Sequence, residues 1–240
     1  MANTNSTRYT FLFAVIVCVV SGVLLSAVSE GLRKQRELNE ELEVKRNILK
    51  AVALKEPIPP KMKGEDILHV YESKIEELVI DAQGYVVEGR TPGQLTAKDG
   101  NLYPLYIYKE DGLVMAYAFP VFGQGLWSVL YGYLAVEADA TTIRGITFYK
   151  HGETPGLGGE IEKEWFQNNF KGKKIYSLQE HRATPIIVVR GKAANFFKGE
   201  ALEHHVDGIT AATLTGNGVT GLLDRWIRVY DVYLSRLRKI

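Results

Sequence analysis

The sequence predicts an α+β protein in which a single N-terminal transmembrane helix precedes a mainly antiparallel-sheet domain with flanking helices. An uncharged apolar run opens the chain at residues 9–28. Short segments rich in Val, Ile, Tyr and Leu then alternate with Gly and Asp turns, a pattern typical of sheet strands. Near the carboxyl end the apolar residues instead follow the 3.6-residue period of a helix.

The composition is that of an ordinary folded protein and gives no sign of nucleic-acid binding. Of 240 residues, 46% are hydrophobic and 24% charged, which allows one anchor and one domain of about 150–180 residues. The 29 Lys+Arg and 28 Asp+Glu leave a net charge of +1, too little to attract nucleic acid. Cys18 is the only cysteine, so redox chemistry would need an imported cofactor.

Residues 9–28 form the predicted transmembrane helix, after an N-terminal tail at residues 1–8. Twenty residues without a charge cross a bilayer core of about 30 Å at helical rise. A cleavable signal peptide is the alternative, but its apolar region normally runs for about 7–15 residues. We therefore expect the mature chain to keep this helix and to contact membrane lipid.

Charge does not decide on which side of the membrane the domain lies. Arg8 precedes the span, and Arg33, Lys34 and Arg36 follow it, which favours a cytoplasmic domain by the positive-inside rule. However, large domains translocate largely regardless of charge, and four glutamates within residues 30–41 make this flank a mixed one. The topology stays open on this criterion.

Residues 29–63 are interpreted as an amphipathic stalk followed by a proline-rich linker. Apolar residues at helical spacing predict a stalk helix to about Leu54, which packs on a partner or on its own domain. The segment at residues 56–60, EPIPP, then ends the helix because proline lacks the amide donor and disfavours the α region before it. We place the globular domain at residues 64–240.

The domain begins with a series of predicted strands. The turn at residues 109–112 joins two of them as a hairpin, because Asp-Gly tolerates the positive φ that such turns need. The predicted strands are EELVID (76–81), GYVV (84–87), LYPLYIY (102–108), GLVMAYAF (112–119), LWSVLYGYLAVE (126–137), IRGITFY (143–149) and TPIIVVR (184–190).

A closing helix of about five turns is predicted near the carboxyl end. Asn217 is placed to cap its start. Its periodic apolar residues are Val219, Leu222, Leu223, Trp226, Ile227, Tyr230, Tyr233, Leu234 and Leu237.

The loop at residues 207–218, DGITAATLTGNG, precedes this helix and is small and rich in hydroxyls. The first turn of a helix leaves backbone donors unpaired and carries a partial positive charge, so a phosphate would suit this place. On composition alone a simple capping segment is the more common use of such a loop.

The string DGITAATLT within this loop resembles the flavinylation motif of the C subunit of the sodium-translocating NADH:quinone reductase and its Rnf relatives. In that family the pattern is approximately Asp-Gly-x-Ser/Thr-Gly-Ala-Thr-x-Thr, and the threonine after alanine accepts FMN through a phosphoester bond. The resemblance makes Thr213 the acceptor of one covalent FMN, installed from FAD by a flavin transferase. Ala211 departs from the pattern, which has glycine there. The resemblance implies that the neighbouring cofactor-binding residues are Asp207, Gly208, Thr210, Ala212, Leu214 and Thr215.

A second match lies at residues 151–160, where HGETPGLGGE resembles a segment of the same family that sits against the flavin. The resemblance implies that Thr154, Leu157 and Gly158 contact the ring. A tight Pro-Gly turn between strand and helix is the alternative use of this segment. The GLWS segment at residues 125–128 is also similar to the family, so Trp127 either flanks the ring or packs in the core.

Other site classes find little support in the sequence. The adjacent pair His204 and His205 would point to opposite faces of an extended segment, so no metal site is expected. No motif predicts a catalytic base beside a nucleophile, so no catalytic residue is assigned. The one GxGxxG spacing, GNGVTG at residues 216–221, does not follow a predicted strand as the dinucleotide-binding fingerprint requires, and NADH and quinone sites are expected on other subunits.

The family resemblance implies a redox function within a membrane complex. It implies an electron-transfer subunit that relays electrons between redox centres of partner subunits toward quinone, coupled to sodium export. The partners would be five other subunits of a six-subunit complex in the bacterial inner membrane, with the FMN domain on the periplasmic side. The alternatives are the G subunit of an Rnf ferredoxin:NAD complex and a membrane-tethered FMN-binding sensor.

Overall fold

The N-terminal part of the chain is helical. The computed structural model describes residues 7–53, 62–96 and 98–238, so residues 1–6 of the predicted tail lie outside it. Helix α1, Thr7–Gly31, carries the predicted apolar span and buries none of its residues. It is the one helix within the described ranges that is long and apolar enough to cross a membrane, because 25 residues span about 37 Å. Helix α2 follows at Arg33–Ala51.

The globular unit begins at Lys45, well before the predicted domain start at Gly64. The end of α2 explains the difference, because Ile48 is fully buried there. Arg144 of the sheet also donates a hydrogen bond from Nη2 to the carbonyl of Ala53 at 3.2 Å. Helix α2 ends at Ala51, and the predicted stalk end at Leu54 and the proline-rich segment at residues 56–60 lie outside the described residues.

The centre of the globular unit is a five-stranded sheet in the order β1-β2-β3-β4-β5. Each strand pairs antiparallel with the next one along the chain, which confirms the mainly antiparallel domain. The strands are β1 Ile75–Asp81, β2 Leu102–Glu110, β3 Leu113–Gln124, β4 Val129–Glu137 and β5 Ile143–Lys150.

The predicted hairpin joins β2 to β3. Glu110 pairs with Leu113, and the two residues between them, Asp111 and Gly112, have φ of 50° and 78°. Positive φ at both central positions is typical of a type I′ turn, whose twist matches that of the flanking strands. The Asp-Gly interpretation is therefore confirmed.

Two predicted strands do not belong to the main sheet. Residues 84–87 contribute only an isolated bridge between Ile80 and Val86, because the chain turns sharply at Gly84 with φ 74°. From residues 184–190 only β8, Ile187–Val188, is extended and paired. It pairs parallel with β9, His205–Val206. A further small pair is formed by β6 Tyr176–Ser177 and β7 Arg182–Ala183.

The remaining helices flank the sheet. Helix α6, Thr213–Leu234, packs on the core face, where the ring of Tyr230 stacks on Phe119 at 4.1 Å. Helix α3, Gly64–Lys74, buries Ile67 and Tyr71. The end of α2 covers the opposite face from α6, since Thr147 of β5 donates to the carbonyl of Asn47 at 3.4 Å, and side chains alternate between faces along a strand. Short helices are α4 Glu164–Asn168 and α5 Glu200–Glu203, with 3-10 turns at Pro92–Gln94, Gly158–Glu162 and Ala193–Asn195.

The closing helix begins earlier than the sequence predicts. It starts at Thr213 and ends at Leu234, so Asn217 lies inside the helix and does not cap it, and Leu237 lies beyond its end. Gly216 and Gly218 are poor helix formers, which made a later start plausible. Packing of the glycine-containing turn against the sheet overrides this local preference.

Candidate cofactor site at the start of the closing helix

Thr213 is the first residue of α6, and the N-cap position before it is occupied by Ala212. Alanine has no side-chain oxygen, and the cap makes no side-chain hydrogen bond. The first-turn amides of the helix therefore lack the partner that Ser, Thr, Asn or Asp usually supplies. These amides carry the positive end of the helix dipole and can bind an anion.

A cavity of about 300 Å³ lies at this helix start. Its walls are residues 188–191, residues 208–213, and Gly216 and Asn217 of α6. The exposed Arg190 therefore shares a cavity with Thr213. A guanidinium and uncapped helix amides form a suitable environment for a phosphate group.

The flavinylation-like loop is held in shape by backbone contacts. Asp207 accepts the amide hydrogen of Ala193 at 2.8 Å through Oδ1, and the amide of Gly208 donates to the carbonyl of Gly191 at 2.9 Å. Ala211 adopts φ 58°, the left-handed region that favours glycine. Asp207 and Gly208 therefore shape the loop, which leaves Ala211 as a strained residue just before the helix.

The three threonines of the loop differ in accessibility. Thr210 is exposed and Thr213 is half-buried. The side chain of Thr215 is buried, with 1% of its surface exposed, and its hydroxyl donates to Glu153 at 2.6 Å. Leu214, between the last two, is 59% exposed.

Glu153 joins the three family-like segments and was not predicted as a site residue. Its Oε1 accepts the amide hydrogens of Trp127 at 2.9 Å and Ser128 at 3.4 Å. Its Oε2 accepts the amide hydrogen of Leu126 at 3.3 Å and the hydroxyl of Thr215 at 2.6 Å. The carboxylate therefore connects residues 125–128, residues 151–160 and the first turn of α6.

The Glu153 carboxyl is ionised at neutral pH. Burial alone would raise its pKa, but the hydrogen bonds from Thr215 and from the three backbone amides outweigh burial and lower the pKa below its usual range. Glycines make room for this charge. A Cβ at Gly125 would lie 2.7 Å from Oε1, and one at Gly158 would lie 2.8 Å from Oε2.

Several apolar side chains near this connection face solvent. Trp127 is 69% exposed and Leu157 is 41% exposed, and Leu126 and Leu214 are exposed as well. We call these four residues the apolar collar. The core-packing alternative for Trp127 is therefore wrong, since most of its side chain is exposed.

The Pro-Gly segment forms a tight turn beside the collar. The carbonyl of Thr154 accepts the amide hydrogens of Leu157 at 3.1 Å and Gly159 at 2.9 Å. Thr154 itself is exposed and Gly158 is buried. The turn interpretation and the site interpretation are thus compatible, because the turn places Leu157 at the surface and Gly158 against Glu153.

The sequence carries no signal that would have identified Glu153 as the connecting residue. A glutamate in a Gly/Pro loop normally lies in solvent, and only the three-dimensional fold brings the GLWS turn and Thr215 to it.

Within the described ranges, no group of three or more His, Cys, Asp or Glu is placed to bind a metal. The Nδ1 atom of His204 is hydrogen-bonded to the carbonyl of Lys174, and the Nδ1 atom of His205 is hydrogen-bonded to the carbonyl of Ala201.

Fold and site together define a domain with a candidate phosphate site at the start of α6, on a chain that carries one helix of membrane-spanning length within the described ranges. The family described as "FMN-binding domain" matches residues 125–228, a range that starts at the GLWS turn and includes both loops and most of α6. FMN is therefore the cofactor class of this domain.

Curated relatives extend the similarity to the whole chain. The C subunit of the Na(+)-translocating NADH-quinone reductase of Pseudomonas aeruginosa is 34% identical, covering 100% of this chain and 99% of the relative. The corresponding C subunit of Yersinia pestis is 32% identical, covering 99% of this chain and 95% of the relative. The chain belongs to the C-subunit family of the Na(+)-translocating NADH-quinone reductase, an oxidoreductase.

Solved structures agree with this assignment. The C subunit of the same reductase from Parabacteroides distasonis superposes with a TM-score of 0.72 at 31% identity, covering 85% of this chain and 97% of that one. Shewanella oneidensis NqrC gives a TM-score of 0.65 at 26% identity, covering 81% of this chain and 96% of that one. The fold of the globular unit is thus that of the family.

Proposed function

We propose that Thr213 carries one FMN through a phosphoester bond. The observation that supports this most directly is the position of Thr213 as the first residue of α6, behind an N-cap alanine that leaves the helix amides uncapped. A phosphate esterified to the Thr213 hydroxyl would supply the missing hydrogen-bond acceptor at that helix start. Arg190, which lines the same cavity, would balance its negative charge.

Accessibility favours Thr213 over its neighbours as the acceptor. The Thr215 hydroxyl is buried and already donates to Glu153, so attack on a phosphate would break that bond and bring two negative groups together. Thr210 is exposed, but it lies in the loop ahead of the helix start. Of the three, Thr213 alone combines a partly exposed hydroxyl with the first turn of α6.

The remaining proposed site residues would hold and orient the cofactor. When bound, FMN supplies the electron-transfer chemistry, and the protein sets its position and surroundings. The apolar collar offers a surface for the flat ring, with Thr154 and Gly158 at its edge. Asp207, Gly208 and Ala212 shape the phosphate end, and a covalent tether prevents loss of the cofactor.

The chain would act as a redox relay within the complex for which its relatives are named. We propose that it passes electrons between redox centres of partner subunits toward quinone, in a process coupled to sodium export. Five other subunits would complete the assembly, and a flavin transferase would install the FMN. Helix α1 anchors the chain in the membrane, which we propose is the bacterial inner membrane, with the FMN domain on the periplasmic side.

The acceptor is tested by expressing the chain with its flavin transferase and measuring acid-stable flavin on the denatured protein. We expect Thr213→Ala to carry no bound flavin. Thr210→Ala and Thr215→Val are the matched controls, since valine preserves the shape of the buried threonine, and both should still be labelled. Acid-stable flavin on Thr213→Ala would contradict the proposal.

The topology is tested with a single cysteine beside the exposed hairpin tip. Leu113→Cys, at a side chain that is 69% exposed and in a chain in which Cys18 is replaced by serine, should react with an impermeant thiol reagent in cells whose outer membrane is permeable to it. Protection until the inner membrane is lysed would place the domain in the cytoplasm.

The relay function is distinguished from that of a membrane-tethered sensor by two further measurements. A relay subunit should co-purify with the other subunits when the chain is tagged, and its flavin should turn over with NADH and quinone. A sensor should do neither.

A further inference from the structure

Three surface segments of the site meet at one buried carboxylate. We propose that Glu153 is a positioning residue, which holds the Trp127 turn against the first turn of α6 and so builds the flavin-facing surface before the cofactor is attached. This inference rests on the proposed function, because it assumes that the flavin lies on the apolar collar.

The contacts of Glu153 require a negatively charged acceptor. Three consecutive amides, those of Leu126, Trp127 and Ser128, all point at the same carboxylate, and Thr215 adds a fourth donor from α6. Hydrogen bonds to an ionised acceptor are about twice as strong as neutral ones. A glutamine would present one oxygen and one NH₂ group to these four donors. Two of the four donors would then face the NH₂ group, which is itself a donor and cannot accept their hydrogen bonds.

The turn has little else to hold it in place. The side chains of Leu126 and Trp127 are both exposed, so apolar packing does not fix them. The turn is closed by the amide of Gly125, which donates to the carbonyl of Ser128 at 2.8 Å. Its other link to the 151–160 segment is the amide of Gly152, which donates to Ser128 Oγ at 2.5 Å.

The hydrogen bond between Glu153 and α6 comes from a single hydroxyl. Thr215 lies two residues after Thr213, in the same helical turn, and its contact with Glu153 spans 62 residues of sequence. Removing that hydroxyl would remove the hydrogen bond between the acceptor helix and Glu153, while leaving the three amide contacts and the packing of Gly218 beside Gln124 and Gly125 in place. Glu153 and Thr215 can therefore be tested separately.

A purely structural role would give a different result from a positioning role. A carboxylate that only stabilises the fold would change the unfolding temperature and leave the environment of a bound flavin unchanged. A positioning residue would alter the flavin environment and the mobility of Trp127 even at temperatures where the protein is fully folded.

The experiment compares Glu153→Gln and Thr215→Val with the wild type and with Glu180→Gln, in the full chain loaded by its flavin transferase. Glu180 is a suitable control because its carboxylate is half exposed and pairs with the exposed Arg182, outside the three segments that meet at Glu153. Flavin fluorescence anisotropy and the flavin reduction potential report the ring environment. Fluorine NMR of 5-fluorotryptophan, assigned with Trp127→Phe, reports the turn in the unflavinylated protein.

We expect Glu153→Gln and Thr215→Val to lower the flavin anisotropy, to shift the flavin reduction potential and to narrow or shift the Trp127 resonance, while Glu180→Gln matches the wild type. If both folded variants keep the wild-type flavin anisotropy, reduction potential and Trp127 resonance, the inference is overturned. The proposed attachment of FMN to Thr213 would not be affected by that result. If Glu153→Gln fails to fold, Thr215→Val decides alone. A wild-type chain without acid-stable flavin would instead refute the proposed function, and the Trp127 resonance would still decide whether Glu153 positions the turn.

Discussion

Gly218 of α6 lies directly against the carbonyl oxygen of Gln124, the last residue of β3. A Cβ at Gly218 would approach that oxygen to 2.5 Å, which real Cβ atoms do not tolerate, and the obstacle is backbone that cannot rotate away. The absence of a side chain at this position therefore allows the start of the acceptor helix to lie on the end of the sheet.

Gly218→Ala should destabilise the protein because the helix would have to move away from β3. We expect a loss of about 1–3 kcal/mol in the free energy of unfolding, the range for overpacked sites, measured by urea denaturation. Gly221→Ala is the matched control on the same helix, because nothing lies within 4 Å of its Cβ position. That variant should gain about 0.5–1 kcal/mol from helix propensity. Equal effects of the two substitutions would refute this packing argument.

The same contact explains why the helix start was misplaced from sequence. Gly216 and Gly218 both have low helix propensity, whereas packing of Gly216 against Val188 of β8 and of Gly218 against the end of β3 needs small residues at these positions. The strand alternation and the Asp-Gly turn were predictable because they depend on neighbouring residues only. The role of Glu153 was not, because its donors come from segments 25 to 62 residues away, and no local pattern encodes such contacts.

Ala211→Gly should stabilise the flavinylation loop. Ala211 has φ 58°, a conformation that costs an L-residue about 1–2 kcal/mol, and the greater freedom of glycine in the unfolded chain offsets part of the gain. We expect a net increase of up to about 1 kcal/mol in unfolding free energy. Ala201→Gly, at an exposed site inside α5, is the control and should lose stability. A loss of stability in Ala211→Gly would show that the loop is not strained.

The stability of the folded protein should fall in acid partly through Glu153. The pKa of Glu153 is lowered in the folded protein. The contribution of Glu153 to the free energy of unfolding is therefore fully present above its pKa in the unfolded chain, about 4.3, and is lost as the pH falls through its pKa in the folded protein. The stability difference between wild type and Glu153→Gln should therefore be constant above about pH 5.5 and shrink below about pH 4.3. Calorimetric scans across this range measure it.

Added salt separates this effect from surface ion pairs. The pKa of Glu162 is also lowered, mainly by its hydrogen bond to Lys163, but that pair lies in solvent and is weakened by about 0.5 M NaCl. The contribution of Glu153 comes from buried hydrogen bonds and should persist in the same salt. A difference between wild type and Glu153→Gln that does not change with pH would contradict the lowered pKa.

A fragment of residues 45–240 should fold, whereas one of residues 64–240 should not fold stably. The end of α2 buries Ile48, Leu49 and Val52 completely, and each such side chain contributes about 1.5–3 kcal/mol. Their combined loss approaches the total stability of a typical domain, about 5–15 kcal/mol. Removing them would also leave Arg144 without the carbonyl acceptors of Val52 and Ala53.

The two fragments are compared by thermal unfolding followed by circular dichroism, with Ile48→Ala in the longer fragment as an intermediate case. That variant should lose about 2–5 kcal/mol, the range for a large-to-small change in a core, and still unfold cooperatively. The shorter fragment should lack a cooperative transition near that of the longer one. Equal unfolding temperatures for both would show that the domain starts at Gly64, as the proline-rich linker suggests, and that the end of α2 only rests on a finished core.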